Sequence, residues 1–267
     1  SSLSQAQAYR CIRAEKTRVA RPATERQMLR ILANTSAAGQ KCATAEDVWV
    51  GIRHKDIQRK IVDFLWKTIH DAHRVGRYWS KLPGYEARGQ CGHCNLTESM
   101  EHILVECDAY GQRAVWALAK SLWLAKGLPW KDVSFEDIMG LGVTAIHAAG
   151  ARTTGPQARL WRILISEGAH LVWRLRCERV IGHAAEDGWT HTAKTVTTKW
   201  LRSMNDRLRQ DVTAAHPRLG RLALKKELIM EVWNDIVKLD PGLPADWLGR
   251  VDRVLVGIDP IIIAGAL

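Results

Sequence analysis

Apolar residues recur at helical intervals along most of the chain. Between residues 47 and 80, Ile57, Ile61 and Phe64 belong to a series of apolar positions three to four residues apart, with charged residues on the opposite face. A weaker pattern predicts one helix over about residues 23–34. Strand-like alternation of apolar and polar residues is nearly absent, so the sequence predicts a mainly α-helical fold.

The second half of the chain has the pattern of a helical hairpin or bundle. Residues 109–127 predict a helix that Gly127 and Pro129 end. Four more helices are predicted over about residues 157–182, 191–212, 219–238 and 245–256. Because Asp187 and Gly188 are typical turn residues, we expect the helices on either side of them to form an antiparallel hairpin.

The composition supplies enough apolar material for a core. The chain has 267 residues, of which 46% are hydrophobic, and 12 of them are tryptophan. Charged residues interrupt every long apolar stretch, so we expect no membrane-spanning helix and no membrane partner. The opening SSLSQAQAYR also lacks the apolar centre of a secretory signal.

Positive charge is concentrated in two blocks. The formal net charge is +11, and residues 1–90 hold 17 Lys and Arg against 8 Asp and Glu. Residues 151–215 are also basic, with 11 against 6, whereas residues 91–150 have a small acidic excess. Such blocks favour binding of a polyanion such as RNA or DNA, because binding would release its counterions.

A cysteine–histidine cluster carries the most specific signal. Cys91, Cys94, His102 and Cys107 have the spacing C-x2-C-x7-H-x4-C. Two cysteines separated by two residues can turn back on one metal ion, and Gly92 favours that turn. Four such ligands leave no position for water, so we predict one structural Zn²⁺ ion.

The H-x4-C half requires a distorted helix. Residues five apart on an ideal α-helix are rotated by about 140° and do not share a face. We expect a short helix over about residues 96–106, capped by Asn95 or Thr97 and distorted or ended near the metal. Arg88 and His93 are candidates to offset the negative charge of the ligands.

One segment resembles a known family. It has a tryptophan-containing helix, followed by C-x2-C and then by E-S-M-E-H-I-L-x-E-C. This order of motifs is similar to the zinc-binding region at the C-terminal end of non-LTR (LINE-type) retrotransposon reverse transcriptases, particularly fungal ones. The resemblance covers roughly residues 50–126. It implies a nuclear or nucleocytoplasmic module that binds nucleic acid and supports target-primed reverse transcription, or a host gene derived from such an element.

The resemblance also implies a domain organisation. Residues 1–45 would be a linker or the trailing edge of an upstream RNase H-like region, and the polymerase and RNase H domains of the same polyprotein would be partners. Residues 46–130 would form the zinc-binding helical module. The C-terminal helical domain predicted over residues 131–267 comes from the helical pattern alone, because the resemblance does not cover it. No catalytic residue is carried over, so we expect no enzyme activity.

Basic residues around the cluster are candidates for nucleic-acid contacts. They are Arg53, Lys55, Arg59, Lys60, Lys67, Arg74, Arg77, Lys81 and Arg88. Tyr78, Trp79 and Tyr85 lie between them in the sequence, and this combination suits phosphate contacts with base stacking. The alternative is that the charges form a solvated helix face and Trp79 belongs to the core.

Other interpretations of the sequence remain open. Arginines and lysines on the helices predicted at 157–182 and 191–212 form a plausible second nucleic-acid face. Trp161, Trp173 and Trp200 could instead anchor a protein partner, which would make the chain an interaction module. His70 and His73 suggest a second metal site but lack a third ligand.

Overall fold

The computed structural model describes residues 4–15, 21–37, 43–144, 155–239, 246–249 and 254–257. The α-helices are α1 (Gln5–Glu15), α2 (Pro22–Ala37), α3 (Ala45–Gly51), α4 (Arg59–Ile69), α5 (Tyr110–Ala125), α6 (Phe135–Met139), α7 (Leu141–Thr144), α8 (Gly155–Cys177), α9 (Ala193–Ala214) and α10 (Lys226–Trp233). Short 3-10 helices cover Gly76–Lys81, Glu86–Gly89 and Pro217–Leu222. The predicted mainly α-helical class is confirmed.

Helix α8 lies at the centre of the core. Its buried residues occupy all sides of the helix, because α4, α5, α9 and α10 pack around it. Trp161 is buried between Trp123 of α5 and Trp130, at ring-centroid distances of 5.0 and 5.4 Å. Helix α9 follows α8 as predicted, and Gly188 in the connection has φ +69°, which glycine adopts without strain.

The C-terminal part contains a small sheet where only helices were predicted. Strands β1 (Val237–Leu239) and β2 (Val254–Val256) pair antiparallel, with Val237 opposite Val256. The predicted helix over 219–238 is shorter, because α10 ends at Trp233 and Asp235 has φ +70°. Val254 and Val256 are buried while Leu255 is exposed, which is the alternation of a strand packed on one face.

The predicted helical segment 47–80 is interrupted. A capping box starts α3, in which the Thr44 side chain accepts a hydrogen bond from the Asp47 backbone N–H. Helix α4 ends at Ile69, and Asp71 has φ +48°, which an α-helix cannot accommodate. Its apolar face, including Ile61 and Leu65, is buried as predicted.

A buried ionic network joins sequence positions about a hundred residues apart. Asp56 accepts hydrogen bonds from Arg159 and from Arg162, the latter at 2.9 Å. Arg159 also donates to Asp211 at 2.7 Å, and Asp211 accepts from the Trp233 indole N–H at 3.0 Å. Asp56 thus pairs with two arginines of α8 inside the core and not with residues on a helix surface.

Apolar residues on both sides of the predicted boundary at residue 130 contribute to one hydrophobic core. Helix α2 matches the helix predicted over 23–34, and it packs on α4 and α6 with Ile31 buried. Helix α1 has no buried residue. The division into three parts stays a prediction.

We expect Gly142→Ala to destabilise the chain strongly. A Cβ atom at Gly142 would overlap the backbone of Gly51 where α7 meets α3, and backbone atoms cannot move aside as a side chain can. The free energy of unfolding should fall by about 2 kcal/mol or more in urea titration. Gly155→Ala is the matched control, since its Cβ would meet no atom within 4 Å, and it should be neutral or slightly stabilising. Equal effects of the two substitutions would refute the close helix contact.

Candidate metal centre

The four predicted ligands lie together in the folded chain. One donor atom from each of Cys91, Cys94, His102 and Cys107 lies within 4.8 Å of the others. The Sγ atoms of Cys91 and Cys107 are 3.8 Å apart, and Cys94 Sγ is 3.2 Å from His102 Nε2. Tetrahedral Zn–S bonds of about 2.3 Å place sulfur atoms about 3.8 Å apart, so this arrangement could hold a metal ion. The distance of 3.8 Å between the Cys91 and Cys107 sulfur atoms is too long for a disulfide bond, in which the sulfur atoms are about 2.05 Å apart.

A tight turn presents the first two cysteines. Gln90 and Thr97 form an antiparallel bridge, and the Cys91 backbone N–H donates to the Leu96 carbonyl at 2.7 Å. The Asn95 N–H donates back to the Cys91 carbonyl at 2.8 Å, and Asn95 has φ +58°. Asparagine tolerates this left-handed conformation better than most residues. Asn95 therefore makes the turn, a role that the sequence had suggested for Gly92, which does not have positive φ.

A π-turn brings His102 and Cys107 to the same side. Residues His102–Glu106 form a π-helix, and the Cys107 backbone N–H donates to the His102 carbonyl at 2.7 Å. Hydrogen bonding between residues five apart aligns positions that an α-helix would separate. The helix begins at Met100, and Ser99 Oγ accepts from the His102 backbone N–H at 2.9 Å. The cap is thus Ser99, and the predictions of Asn95 or Thr97 as the cap are wrong.

The π-turn is held against α5. A π-turn leaves a carbonyl without its usual helical partner, and the Leu104 carbonyl accepts side-chain hydrogen bonds instead. Trp116 Nε1 donates to it at 2.7 Å and Gln112 Nε2 at 3.2 Å. Leu104 is fully buried in the core. These hydrogen bonds and the burial of Leu104 support the distorted helix from the side of α5.

Two of the thiols have oppositely shifted pKa values. Burial disfavours the thiolate of Cys91, but the backbone N–H groups of His93 and Cys94 outweigh it and lower its pKa to about 6. Burial and the neighbouring cysteine sulfurs raise the pKa of Cys107 to about 12. A second thiolate in this cluster is thus disfavoured by the first. A cation among the sulfur atoms would stabilise all of them as thiolates.

A buried ion pair joins the cluster to the central helix. Arg176 of α8 donates from Nε to Glu98 Oε1 at 2.9 Å, and a second hydrogen bond joins the same two groups. Both side chains are buried. His93, which was expected to offset ligand charge, lies 3.0 Å from Asp108 Oδ1, and Arg88 lies over aromatic rings. The sequence did not indicate that Arg176 lies close to the cluster, because no sequence pattern links position 98 to position 176.

The nine basic residues predicted to contact nucleic acid are all exposed; we call them the basic segment. They are Arg53, Lys55, Arg59, Lys60, Lys67, Arg74, Arg77, Lys81 and Arg88. Within the described part of the chain, only Lys67 among them forms an ion pair, with Asp63 at 2.8 Å. This pair joins residues four apart on the exposed face of α4. The remaining charges are available to a polyanion.

The second basic face is only partly at the surface. Arg159, Arg162, Arg176 and Arg207 are buried, and each lies beside a buried carboxylate. Exposed basic residues on α8 and α9 are Arg174, Lys194, Arg202 and Arg209. The sequence pattern failed here because it assumes that arginine side chains lie in solvent.

Two of the three proposed tryptophan anchors are core residues. Trp161 and Trp200 are fully buried, and Trp173 is half-buried against Phe64 and His73. These positions do not favour the interpretation as a protein-interaction module.

The histidines of α4 and its following loop have other partners. His70 Nδ1 lies 2.7 Å from Thr24 Oγ1 and its ring stacks on Trp49. His73 lies 3.1 Å from Thr68 Oγ1. Among the described residues, neither histidine belongs to a group of donors that could hold a metal ion.

Comparisons of this chain with protein-family models, curated proteins and solved structures gave no match. Within the described ranges, no helix is both long enough and apolar enough to cross a membrane. The geometry of the chain itself therefore carries the functional argument.

Proposed function

We propose that this chain is a non-catalytic nucleic-acid-binding module stapled by one structural zinc ion. The observation that carries the proposal is the convergence of Cys91, Cys94, His102 and Cys107 in a chain whose preceding basic segment is exposed. Three sulfur donors and one imidazole favour zinc over magnesium or calcium, which prefer oxygen. Four protein ligands also complete a tetrahedron, which is typical of structural rather than catalytic zinc.

The metal would fix the shape of a segment that has few other constraints. In the turn at Cys91–Asn95, the residues Gly92, His93 and Asn95 are exposed, and the turn has little apolar surface of its own to bury. Closing two turns with a metal ion supplies the missing stabilisation. The basic segment adjoins this turn in sequence, so the metal would also fix its C-terminal end.

The resemblance to LINE-type reverse transcriptases supports a narrower proposal. It would make the chain part of a polyprotein that acts in target-primed reverse transcription in the nucleus, alongside polymerase and RNase H domains. The residues that carry this resemblance are the four proposed ligands and the E-H-I-L sequence around His102. The proposal of metal and nucleic-acid binding does not depend on it.

Nucleic-acid binding should weaken steeply with salt. We expect the affinity of the zinc-loaded chain for RNA or DNA to fall about 100-fold or more between about 50 and 200 mM salt, as for four or more phosphate contacts. Fluorescence anisotropy across a salt series measures this. The double variant Arg59→Gln/Lys60→Gln should reduce both the affinity and the steepness with which the affinity falls as salt rises. The control is Arg218→Gln/Arg221→Gln, which changes two exposed arginines outside the basic segment and should alter neither quantity. Salt-independent binding would contradict the proposal.

A further inference from the structure

Three aromatic rings and one guanidinium group form a continuous cluster at the end of the basic segment. Tyr78 and Trp79 lie 5.1 Å apart in an edge-to-face arrangement, and Trp79 and Tyr85 lie 6.0 Å apart. Arg88 lies over both Trp79 and Tyr85, at 5.3 and 4.9 Å from the ring centroids. We call Tyr78, Trp79, Tyr85 and Arg88 the aromatic platform.

The aromatic platform faces solvent although its rings are apolar. Tyr78 and Tyr85 are 40% and 48% exposed, whereas Trp123, Trp161 and Trp200 are fully buried. The two tyrosine rings therefore lie outside the core and are available to a ligand, whereas Trp79 is half-buried. Arg74 lies 5.4 Å from the Tyr78 ring centroid and adds a second guanidinium group at its edge.

The aromatic platform is held in place on the metal-binding turn. Trp79 Nε1 donates to the Arg74 carbonyl at 2.7 Å. The Glu98 backbone N–H donates to the Gly89 carbonyl at 2.9 Å, which links the segment after Tyr85 to the segment after Cys94. Gly76 has φ +45°, and a Cβ there would lie 2.5 Å from the Glu98 carbonyl oxygen. The Trp79 ring and the backbone that bears the aromatic platform are thus held in place before any ligand binds.

We propose that the aromatic platform binds single-stranded nucleic acid by stacking unpaired bases on Tyr78 and Tyr85. This inference rests on the proposed nucleic-acid binding and specifies its ligand. Aromatic rings interleaved with cationic side chains are how proteins hold single strands, because each base offers a flat face and each nucleotide a phosphate. In a duplex those faces are stacked on neighbouring bases and are not available to side chains. Arg88, between two rings, supplies charge at the stacking position.

The test compares a labelled oligothymidine of about 16 nucleotides with a duplex of equal phosphate number, using fluorescence anisotropy and the zinc-loaded full chain. Tyr85→Ala should weaken single-strand binding by about fivefold or more and leave duplex binding within about twofold. Tyr85→Phe, which keeps the ring, should bind as the unaltered chain does. Tyr9→Ala is the matched control, because Tyr9 is also exposed beside an arginine, Arg13, but lies in α1.

The outcomes separate this inference from the proposed function. Selective loss of single-strand affinity in Tyr85→Ala, restored by phenylalanine, supports the aromatic platform. If Tyr85→Ala binds like the unaltered chain while Arg59→Gln/Lys60→Gln weakens both ligands, stacking is refuted and the basic segment alone binds. If the unaltered chain binds neither ligand at about 50 mM salt, both proposals fail. Circular dichroism of each variant checks that its helices are retained.

Discussion

Cys107→Ser should release the metal and unfold the segment around it. Cys107 is buried in the cluster, and a serine hydroxyl is a poor zinc ligand at neutral pH. Loss of one ligand would leave the turn at Cys91–Asn95 and the π-turn without their common constraint. We expect amide hydrogen exchange in residues 89–109 to accelerate by at least about 100-fold, while α8 and α9 keep their protection.

Two other cysteines provide the matched controls for this substitution. Cys11 is exposed on α1 and Cys177 is half-buried on α8, and neither belongs to the cluster. Cys11→Ser and Cys177→Ser should therefore retain the metal and the exchange protection of residues 89–109. If Cys177→Ser has the same effect as Cys107→Ser, the change reflects general destabilisation rather than loss of a ligand.

Asp56→Ala should lower the free energy of unfolding by about 3–5 kcal/mol. Removing this carboxylate would leave the buried guanidinium groups of Arg159 and Arg162 with too little negative charge beside them, since Asp211 alone would remain near Arg159. Urea unfolding measures the effect. Asp63→Ala removes an exposed i,i+4 pair with Lys67 and should cost less than about 0.5 kcal/mol.

The same network should make the chain sensitive to acid. Burial alone would raise the pKa of Asp56, but His54 and the two guanidinium groups stabilise the carboxylate and hold its pKa at about 2. Because this pKa lies below the unfolded value of about 3.9, the stabilisation is complete above about pH 4 and is lost as the pH falls through about 2. The loss should amount to about 2–3 kcal/mol, and this pH-dependent loss should be absent in Asp56→Ala. An unchanged acid transition in that variant would contradict the assignment.

Helices with a clear apolar stripe could be predicted from the sequence. Helices α5, α8 and α9 lie within a few residues of their predicted bounds, because residues such as Leu118 and Leu164 repeat at the helical period. The short strand Val254–Val256 could not be separated from a helix, since three residues are too few to reveal a period.

Buried charges could not be predicted. Arg159 and Asp56 are 103 positions apart, and no local pattern marks their contact. Arg176 and Glu98 are separated by 78 positions in the same way. Arginine is usually exposed, so the pattern placed these side chains on a basic face instead of in the core.

The candidate metal centre was predictable in composition but not in backbone geometry. The spacing of the cysteines and His102 identified all four donors, because few other structures require these residue types so close together. The π-turn at His102–Glu106 and the left-handed Asn95 have no comparable sequence signal. Both are local backbone distortions that allow the four donors to converge. The hydrogen bonds from α5 to the Leu104 carbonyl are tertiary contacts, which a local sequence pattern does not reveal.

X-ray absorption spectroscopy of the chain, purified without added metal, tests the central claim most directly. We predict one zinc ion per chain with three sulfur ligands at about 2.3 Å and one nitrogen ligand at about 2.0–2.1 Å. A chain that carries no zinc, or a zinc ion surrounded by oxygen ligands, would contradict the assignment of Cys91, Cys94, His102 and Cys107 as its ligands.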